Sequence, residues 1–165
     1  MIPIREADTA ELYWVHPHLM KRQYELYGGN DLLATLRWKN LIGSLATAAA
    51  ADGSWTFQRV SIFQKHVVVR LAASGEEMAR LKRNPGGSGV LLFNDTRQYK
   101  WANTSFWRNE WVWRTDKDIP LIYFKKAKEL ELSPLALSQP ALSLLAALGW
   151  YLLKLQQEEA RAFRG

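Results

Sequence analysis

The side chains best suited to acid–base or metal chemistry in this sequence are its histidines, His16, His18 and His66. His16 and His18 stand two residues apart, and no pattern of Asp or Glu near them completes a set of metal ligands. The sequence holds no cysteine, which excludes thiolate catalysis, disulfides and cysteine metal sites. It lacks a serine nucleophile elbow, and its glycine-rich stretch at 85–89 neither ends in Lys-Thr nor opens a helix. We therefore expect a protein that is not an enzyme and that uses no metal and no cofactor.

A cluster of aromatic side chains is the second candidate for chemistry. Five large rings fall within thirteen residues, at Trp101, Phe106, Trp107, Trp111 and Trp113. They could form a stacking platform or an aromatic-lined pocket, with Trp107, Trp111 and Trp113 as its residues. Alternation places Trp111 and Trp113 on one face of a strand, which favours packing in the core instead, and Trp107 is the ring we expect to be exposed.

Basic side chains form the third candidate. They occur in two segments, Arg80, Lys82 and Arg83 before the glycine-rich stretch, and Lys125, Lys126 and Lys128 between two later strands. If the two segments are neighbours in the fold, they form a patch for the phosphates of lipid headgroups or of nucleic acid. A solvated outer face explains the same residues, and the net charge of +6 also favours solubility.

A hydrophobic segment near the end of the sequence is expected to form the helix around which the preceding segments pack. From Ala141 to Leu153 the only polar side chain is Ser143, and Pro140 suits the first turn of a helix. The apolar run of 13 residues is shorter than the roughly 20 needed to span a bilayer. We expect a buried helix over about 140–160, because a helix that is apolar on all sides must be enclosed.

Short alternating segments separated by turn residues precede this helix. Asp52-Gly53 joins two of them in a typical hairpin signal, and 76–83, although rich in helix formers, is bracketed by turns and is read as a strand. About eleven such strands follow one another from Gln23 onward, with separate strands expected at 98–101 and 105–107. We assign 1–22 to an N-terminal arm, with a helical turn over 9–15, and 23–165 to a single domain.

Many short strands followed by one hydrophobic helix predict a mostly β fold. A sheet that closes on itself leaves no open edge and can enclose a helix. We therefore expect a closed antiparallel β-barrel of about 11–12 short strands around a hydrophobic C-terminal helix.

Three segments, together with the order of many strands followed by one hydrophobic helix, resemble those of a known group of domains. They are Asp52-Gly-Ser-Trp-Thr-Phe57, the run GVLLFNDTRQYKW from Gly89 to Trp101, and LLAALGWYLL over Leu144–Leu153. From about Leu26 to Leu155 the chain resembles the tubby C-terminal-like superfamily, which includes the LURP-one-related and phospholipid-scramblase-like domains. The resemblance implies a barrel threaded by the final helix. It is closest in kind to bacterial members of unassigned role.

Function in that group is heterogeneous, since tubby domains bind phosphoinositides and scramblase-like members associate with membranes. This chain is short, and it lacks the cysteine cluster of the scramblases and a matched phosphoinositide-binding basic pair. We expect a non-enzymatic binding or scaffold module that contacts anionic phospholipid. A small-ligand carrier or enzyme with an aromatic pocket is the alternative, and nucleic-acid binding is less favoured.

The start of the sequence bears on location. Acidic residues stand among the first eight, where a signal peptide has a basic region and an apolar run. We expect a cytoplasmic protein that is peripheral to the membrane. A protein partner and the oligomeric state stay open.

Overall fold

The fold is a β-barrel built around one long helix. The computed structural model describes residues 1–61, 65–105, 107, 109–125 and 128–164, with side chains up to Ala162. Within these residues, twelve strands pair into one closed antiparallel sheet in the cyclic order β1-β12-β11-β10-β9-β8-β7-β6-β5-β4-β3-β2. This confirms the predicted fold class.

The strands are short, as the turn spacing predicts. They are Leu12–Val15 (β1), Gln23–Gly28 (β2), Asp31–Trp38 (β3), Ala46–Ala50 (β4), Gly53–Arg59 (β5), Val67–Leu71 (β6), Glu77–Arg83 (β7), Gly89–Phe93 (β8), Gln98–Ser105 (β9), Glu110–Thr115 (β10), Pro120–Lys125 (β11) and Glu129–Leu132 (β12). Short 3-10 helices occupy Ile4–Glu6 and Pro134–Ser138, and the α-helix α1 spans Leu142–Arg164.

Two predictions about the strands are wrong. Residues 1–22 are not simply an arm, and 9–15 is not helical, because Leu12–Val15 forms β1 and closes the barrel through the pairs Leu12↔Leu130 and Tyr13↔Glu129. The break predicted after residue 101 is absent, since β9 runs unbroken over Gln98–Ser105, and Phe106 of the predicted strand 105–107 lies outside the described residues. The polar residues Asn103 and Thr104 of β9, which look like a turn, face solvent on a long strand.

The core consists of the inward residues of the strands packed around α1. Leu145 and Leu148 are fully buried, and the indole Nε1 of Trp113 donates a hydrogen bond to the backbone carbonyl of Leu145 at 2.8 Å. The ring of Trp14 stacks on Trp150 with centroids 5.6 Å apart. The helix is thus enclosed by protein along its apolar length, as its composition predicts.

Because every neighbouring pair of strands is antiparallel, successive connections alternate between the two ends of the barrel. The helix follows β12, starts at one end and passes through the barrel, and from Lys154 onward its described side chains other than Leu155 are partly or fully exposed. We call the end where α1 emerges the exit end, defined by the connections 16–22, 39–45, 60–66, 84–88, 106–109 and 126–128. The opposite end, with the connections 29–30, 51–52, 72–76, 94–97 and 116–119, is the entry end.

Among the residues that the structure describes, no helix combines the length and the hydrophobicity that crossing a bilayer requires.

Candidate functional site

The predicted aromatic pocket divides into core and surface. Trp111 and Trp113 are 5% and 0% exposed, and Trp101 packs between them with ring centroids 5.3 and 4.9 Å away. These rings fill the space between sheet and helix, so they are structural. Trp107 is 92% exposed in the β9–β10 connection, as the sequence leads us to expect. Phe106 lies outside the described residues.

The two basic segments are not neighbours. Arg80, Lys82 and Arg83 belong to β7, whereas Lys125 ends β11, and β8, β9 and β10 lie between these strands. At about 4.8 Å per strand, the segments are well apart around the barrel wall. The prediction that the two basic segments form a single patch is therefore wrong.

The members of the two basic segments also differ in their surroundings. Arg80 pairs with Glu77 at 2.8 Å, and Lys125 pairs with Glu131. Lys128 is exposed at the exit end, and the side chain of Arg83 is only 3% exposed. Lys126 lies outside the described residues.

The histidines lie at the exit end, but the described residues contain no group of three or more His, Cys, Asp and Glu side chains that could hold a metal ion. The ring Nε2 of His16 lies 2.5 Å from the carbonyl oxygen of Lys21. In the same turn, the Lys21 N–H donates to the carbonyl of His18 at 3.1 Å. These two hydrogen bonds close the β1–β2 connection into a compact tip with Leu19 and Met20 at its apex.

Large apolar side chains are exposed at the exit end. Among the described large apolar residues the five most exposed are Leu19 at 89%, Met20 at 88%, Leu41 at 77%, Ile42 at 89% and Trp107 at 92%. They belong to three connections at this end, β1–β2, β3–β4 and β9–β10. The β1–β2 and β3–β4 connections are next to each other, whereas the β11–β12 connection separates β9–β10 from β1–β2. Large apolar side chains exposed at one end of a protein typically mark an interaction surface.

Arg22 holds one of these apolar tips in place. Its guanidinium Nη1 donates to the backbone carbonyls of Asn40, Leu41 and Gly43 at 2.9, 3.1 and 3.1 Å. The same guanidinium lies over the ring of Trp38, 5.0 Å from the centroid. The β3–β4 connection therefore presents Leu41 and Ile42 from a backbone that is fixed by hydrogen bonds.

The turn that carries Trp107 has a similar support. Asn109 adopts a left-handed backbone conformation with φ of 52°, which is more common for Asn than for most residues. Its side-chain oxygen accepts a hydrogen bond from Nε1 of the buried Trp111 at 3.0 Å. The turn is thus tied to the core next to the exposed indole.

The exit end is basic. In the described parts of its six connections the charged side chains are all cations, namely Lys21, Arg22, Lys39, Lys65 and Lys128. The carboxylates near this end belong to strand ends and to the helix, at Glu110, Glu129, Glu158 and Glu159.

The entry end has the opposite charge. Its connections carry five acids, Asp52, Glu76, Asp95, Asp116 and Asp118, against the cations Arg97 and Lys117. Charge is therefore segregated along the barrel axis, and the apolar tips lie at the positive end.

Glu158 and Glu159 anchor the emerging helix to the exit end. Glu158 pairs with Arg22 at 2.5 Å. Glu159 accepts from Arg83 at 2.6 Å and from Arg59 at 3.1 Å, and the ammonium of Lys65 lies 4.0 Å away. Burial alone would raise the pKa of Glu159, but the hydrogen bonds and charges of these cations outweigh it and hold the pKa below its usual range.

The sequence did not lead us to two features of the exit end. One is the set of apolar tips, meaning the exposed Leu19-Met20 and Leu41-Ile42. The other is the Glu159 cluster, which consists of Glu159 with Arg59, Lys65 and Arg83. The tips were readable in principle, because Leu-Met and Leu-Ile dipeptides stand inside polar turn segments at 16–22 and 39–45. Grouping them requires the alternation of connections between the two ends, which only the strand order provides. The Glu159 cluster joins residues 76 and 100 positions apart in the chain and leaves no local signal.

No protein-family model, no curated protein and no solved structure matches this chain.

Proposed function

We propose that this protein is a non-enzymatic binding module that attaches to anionic membrane surfaces through its exit end. One observation carries the proposal, the coincidence of the five most exposed large apolar side chains with connections whose described charges are all positive. Anionic lipid attracts the cations, and the interfacial region of a bilayer takes up the apolar side chains.

The two contributions are comparable in size. A lysine or arginine near an anionic surface contributes on the order of 1 kcal/mol. Fully burying a Leu, Ile or Met side chain contributes about 1.5–3 kcal/mol, and a tip that enters only the interface gains part of that. The acidic entry end is repelled by the same surface, so the charge segregation also orients the barrel axis toward the membrane.

Nucleic acid fits this surface less well than lipid does. The phosphates of nucleic acid would satisfy the cations, but its bases contribute by stacking on aromatic side chains. Four of the five exposed tips, Leu19, Met20, Leu41 and Ile42, are not aromatic. The alternative of an aromatic ligand pocket loses its basis because Trp111 and Trp113 are buried.

The tubby-like relationship stays a prediction. A barrel threaded by a terminal helix is the architecture that the relationship implies, and membrane association is one of the activities in that group. The proposal stands on the surface of this chain and does not depend on the relationship.

Vesicle sedimentation tests the proposal. The wild type should bind vesicles of phosphatidylcholine with phosphatidylserine at low salt, bind less as salt rises, and bind little to phosphatidylcholine alone. The double variant Leu19→Ser/Ile42→Ser should bind about tenfold or more weakly. The variant Lys21→Gln/Lys39→Gln should bind more weakly and with a shallower salt dependence.

Ile119→Ser is the matched control, because Ile119 is an exposed apolar residue, 45% exposed, at the entry end. It should bind like the wild type. An absence of wild-type binding to anionic vesicles at low salt would refute the proposal, as would equal losses in the control and in Leu19→Ser/Ile42→Ser. Tighter binding to a single-stranded oligonucleotide than to vesicles would favour the nucleic-acid alternative.

A further inference from the structure

A cleft at the exit end lies against the Glu159 cluster. It has a volume of about 400 Å³ and lies between the β7–β8 connection and the end of α1, with Lys65, Arg83, Asn84, Gly87, Gln156 and Glu159 among its lining residues. One water takes up about 30 Å³, so the cleft has room for a small oxyanion and its remaining hydration shell. We call this space the Lys65 cleft.

The cations around Glu159 outnumber its one carboxylate. Lys65 and Arg83 line the cleft, Arg59 contacts Glu159 from the neighbouring groove, and Glu158 is paired with Arg22. Arg83 and Arg59 are hydrogen-bonded to the Glu159 carboxylate. Lys65 is held least, because its ammonium is 4.0 Å from Glu159 and its side chain is 53% exposed. Positive charge therefore remains at the rim of the cleft.

The position of Lys65 is built into the fold. Its φ of 54° is a left-handed conformation that costs a non-glycine residue free energy and is sustained only by its surroundings. Its N–H donates to the carbonyl of Ser61 at 2.9 Å, and its own carbonyl accepts from Nη1 of Arg83 at 3.2 Å. The guanidinium that binds Glu159 thus also fixes the backbone of the lysine at the rim.

We infer that the Lys65 cleft binds a small tetrahedral oxyanion of the phosphate class, and that Glu159 competes with this anion for the cations. A phosphate group is recognised by guanidinium and ammonium groups, which Arg83 and Lys65 supply at this cleft. The Glu159 carboxylate already uses part of their capacity, so it weakens binding of a second anion. The anion could be a free phosphate ester or the headgroup of a membrane lipid.

The inference deepens the proposed function only if the anion belongs to a lipid. For that reason its first test uses no membrane. Inorganic phosphate, added at constant ionic strength against chloride, should raise the melting temperature of the wild type, because a ligand that binds the native state stabilises it. Lys65→Gln should bind phosphate about tenfold more weakly. Glu159→Gln, with an isosteric neutral side chain, should bind it about tenfold more tightly.

Lys82→Gln is the control, since it removes the same charge next to Arg83 from an exposed side chain of β7 outside the cleft. It should change phosphate affinity less than twofold. Absence of a phosphate-specific shift in both the wild type and Glu159→Gln would overturn the inference, as would equal losses in Lys65→Gln and Lys82→Gln. Weaker phosphate binding by Glu159→Gln would overturn the role of Glu159 as a competitor.

A second arm distinguishes the two sources of the anion. Vesicles with phosphatidic acid, whose headgroup is a phosphate monoester, are compared with phosphatidylserine vesicles of equal charge. A preference for phosphatidic acid that Lys65→Gln removes assigns the cleft to a lipid headgroup. Phosphate binding in solution without that preference assigns the cleft to a free phosphate ester. In that case the inference that the cleft binds phosphate holds even if the protein binds no membrane.

Discussion

Gly149 is the point at which the central helix and the barrel wall come closest, and replacing it with alanine should destabilise the protein. A Cβ added there would lie 2.2 Å from Cζ and 2.6 Å from Cε2 of Phe124. Carbon atoms in contact prefer about 3.5–4.0 Å, so ring or helix would have to move by more than 1 Å. Phe124 is 3% exposed and packs edge-on against Trp101 at 5.3 Å, which leaves it little space.

The magnitude follows from two opposing effects. Alanine is more favourable than glycine inside a helix by about 1 kcal/mol. Overpacking a buried site costs about 1–3 kcal/mol, and the depth of this overlap places Gly149→Ala near the upper limit. We expect a net loss of about 2 kcal/mol in the free energy of unfolding, which lowers Tm by about 4–8 °C for a chain of this size.

Urea unfolding of a double-mutant cycle provides the assay. Phe124→Leu alone should cost about 1–2 kcal/mol through a cavity. Together with Gly149→Ala the losses should be less than additive by at least about 1 kcal/mol, because the smaller side chain leaves room for the new methyl group. A Gly149→Ala protein as stable as the wild type, or strictly additive losses, would refute the close approach of helix and wall.

Three further predictions concern the buried helix and its anchor. Leu148→Asp should prevent folding because it buries an unpaired charge, and a soluble Leu148→Asp protein with a cooperative melting transition would contradict the enclosed helix. Trp113→Phe should cost about 1–3 kcal/mol by removing a buried hydrogen bond and part of the ring, and unchanged denaturant stability would count against that contact. Glu159→Gln should cost about 1–2 kcal/mol at neutral pH. The pKa of Glu159 is lowered in the folded state, so the stability that the ionised carboxylate contributes is present above the unfolded pKa and is lost as pH falls through the folded pKa. The difference in the free energy of unfolding between Glu159→Gln and the wild type should therefore vanish in acid. A difference that does not change with pH would rule out the ion pairs as its cause.

The architecture was predictable because it depends on local patterns. The all-apolar run after Pro140 indicates a buried helix, and Asp52-Gly53 indicates a hairpin whose strands pair in register through Ala50↔Gly53. β1 was missed because four residues before a His-Pro-His segment give too short an alternation to detect. β9 was divided because Asn103 and Thr104 resemble a turn when only their types are considered.

The candidate site was not predictable to the same degree, because it arises from long-range pairing. Trp107 was expected to be exposed, and it is. The predicted basic patch combined two segments, 80–83 and 125–128, because both are rich in Lys and Arg. Three other strands separate β7 from β11, so the two segments do not meet. Leu19 and Ile42 come together at one end only because the strands between them form antiparallel hairpins, and Glu159 meets Arg59 only because the helix threads the closed barrel.

The threading of the barrel has a consequence for biosynthesis. The helix that fills the interior is translated after all twelve strands, at about 5–20 residues per second. Until it arrives, the inward faces of the strands have nothing to cover them, so the nascent wall exposes its apolar residues to other chains and to chaperones. A chain whose synthesis stops before Pro140 therefore lacks the helix that covers the inward faces of the strands. We expect such a chain to be degraded by proteolytic quality control and not to behave as a slightly shorter version of the protein.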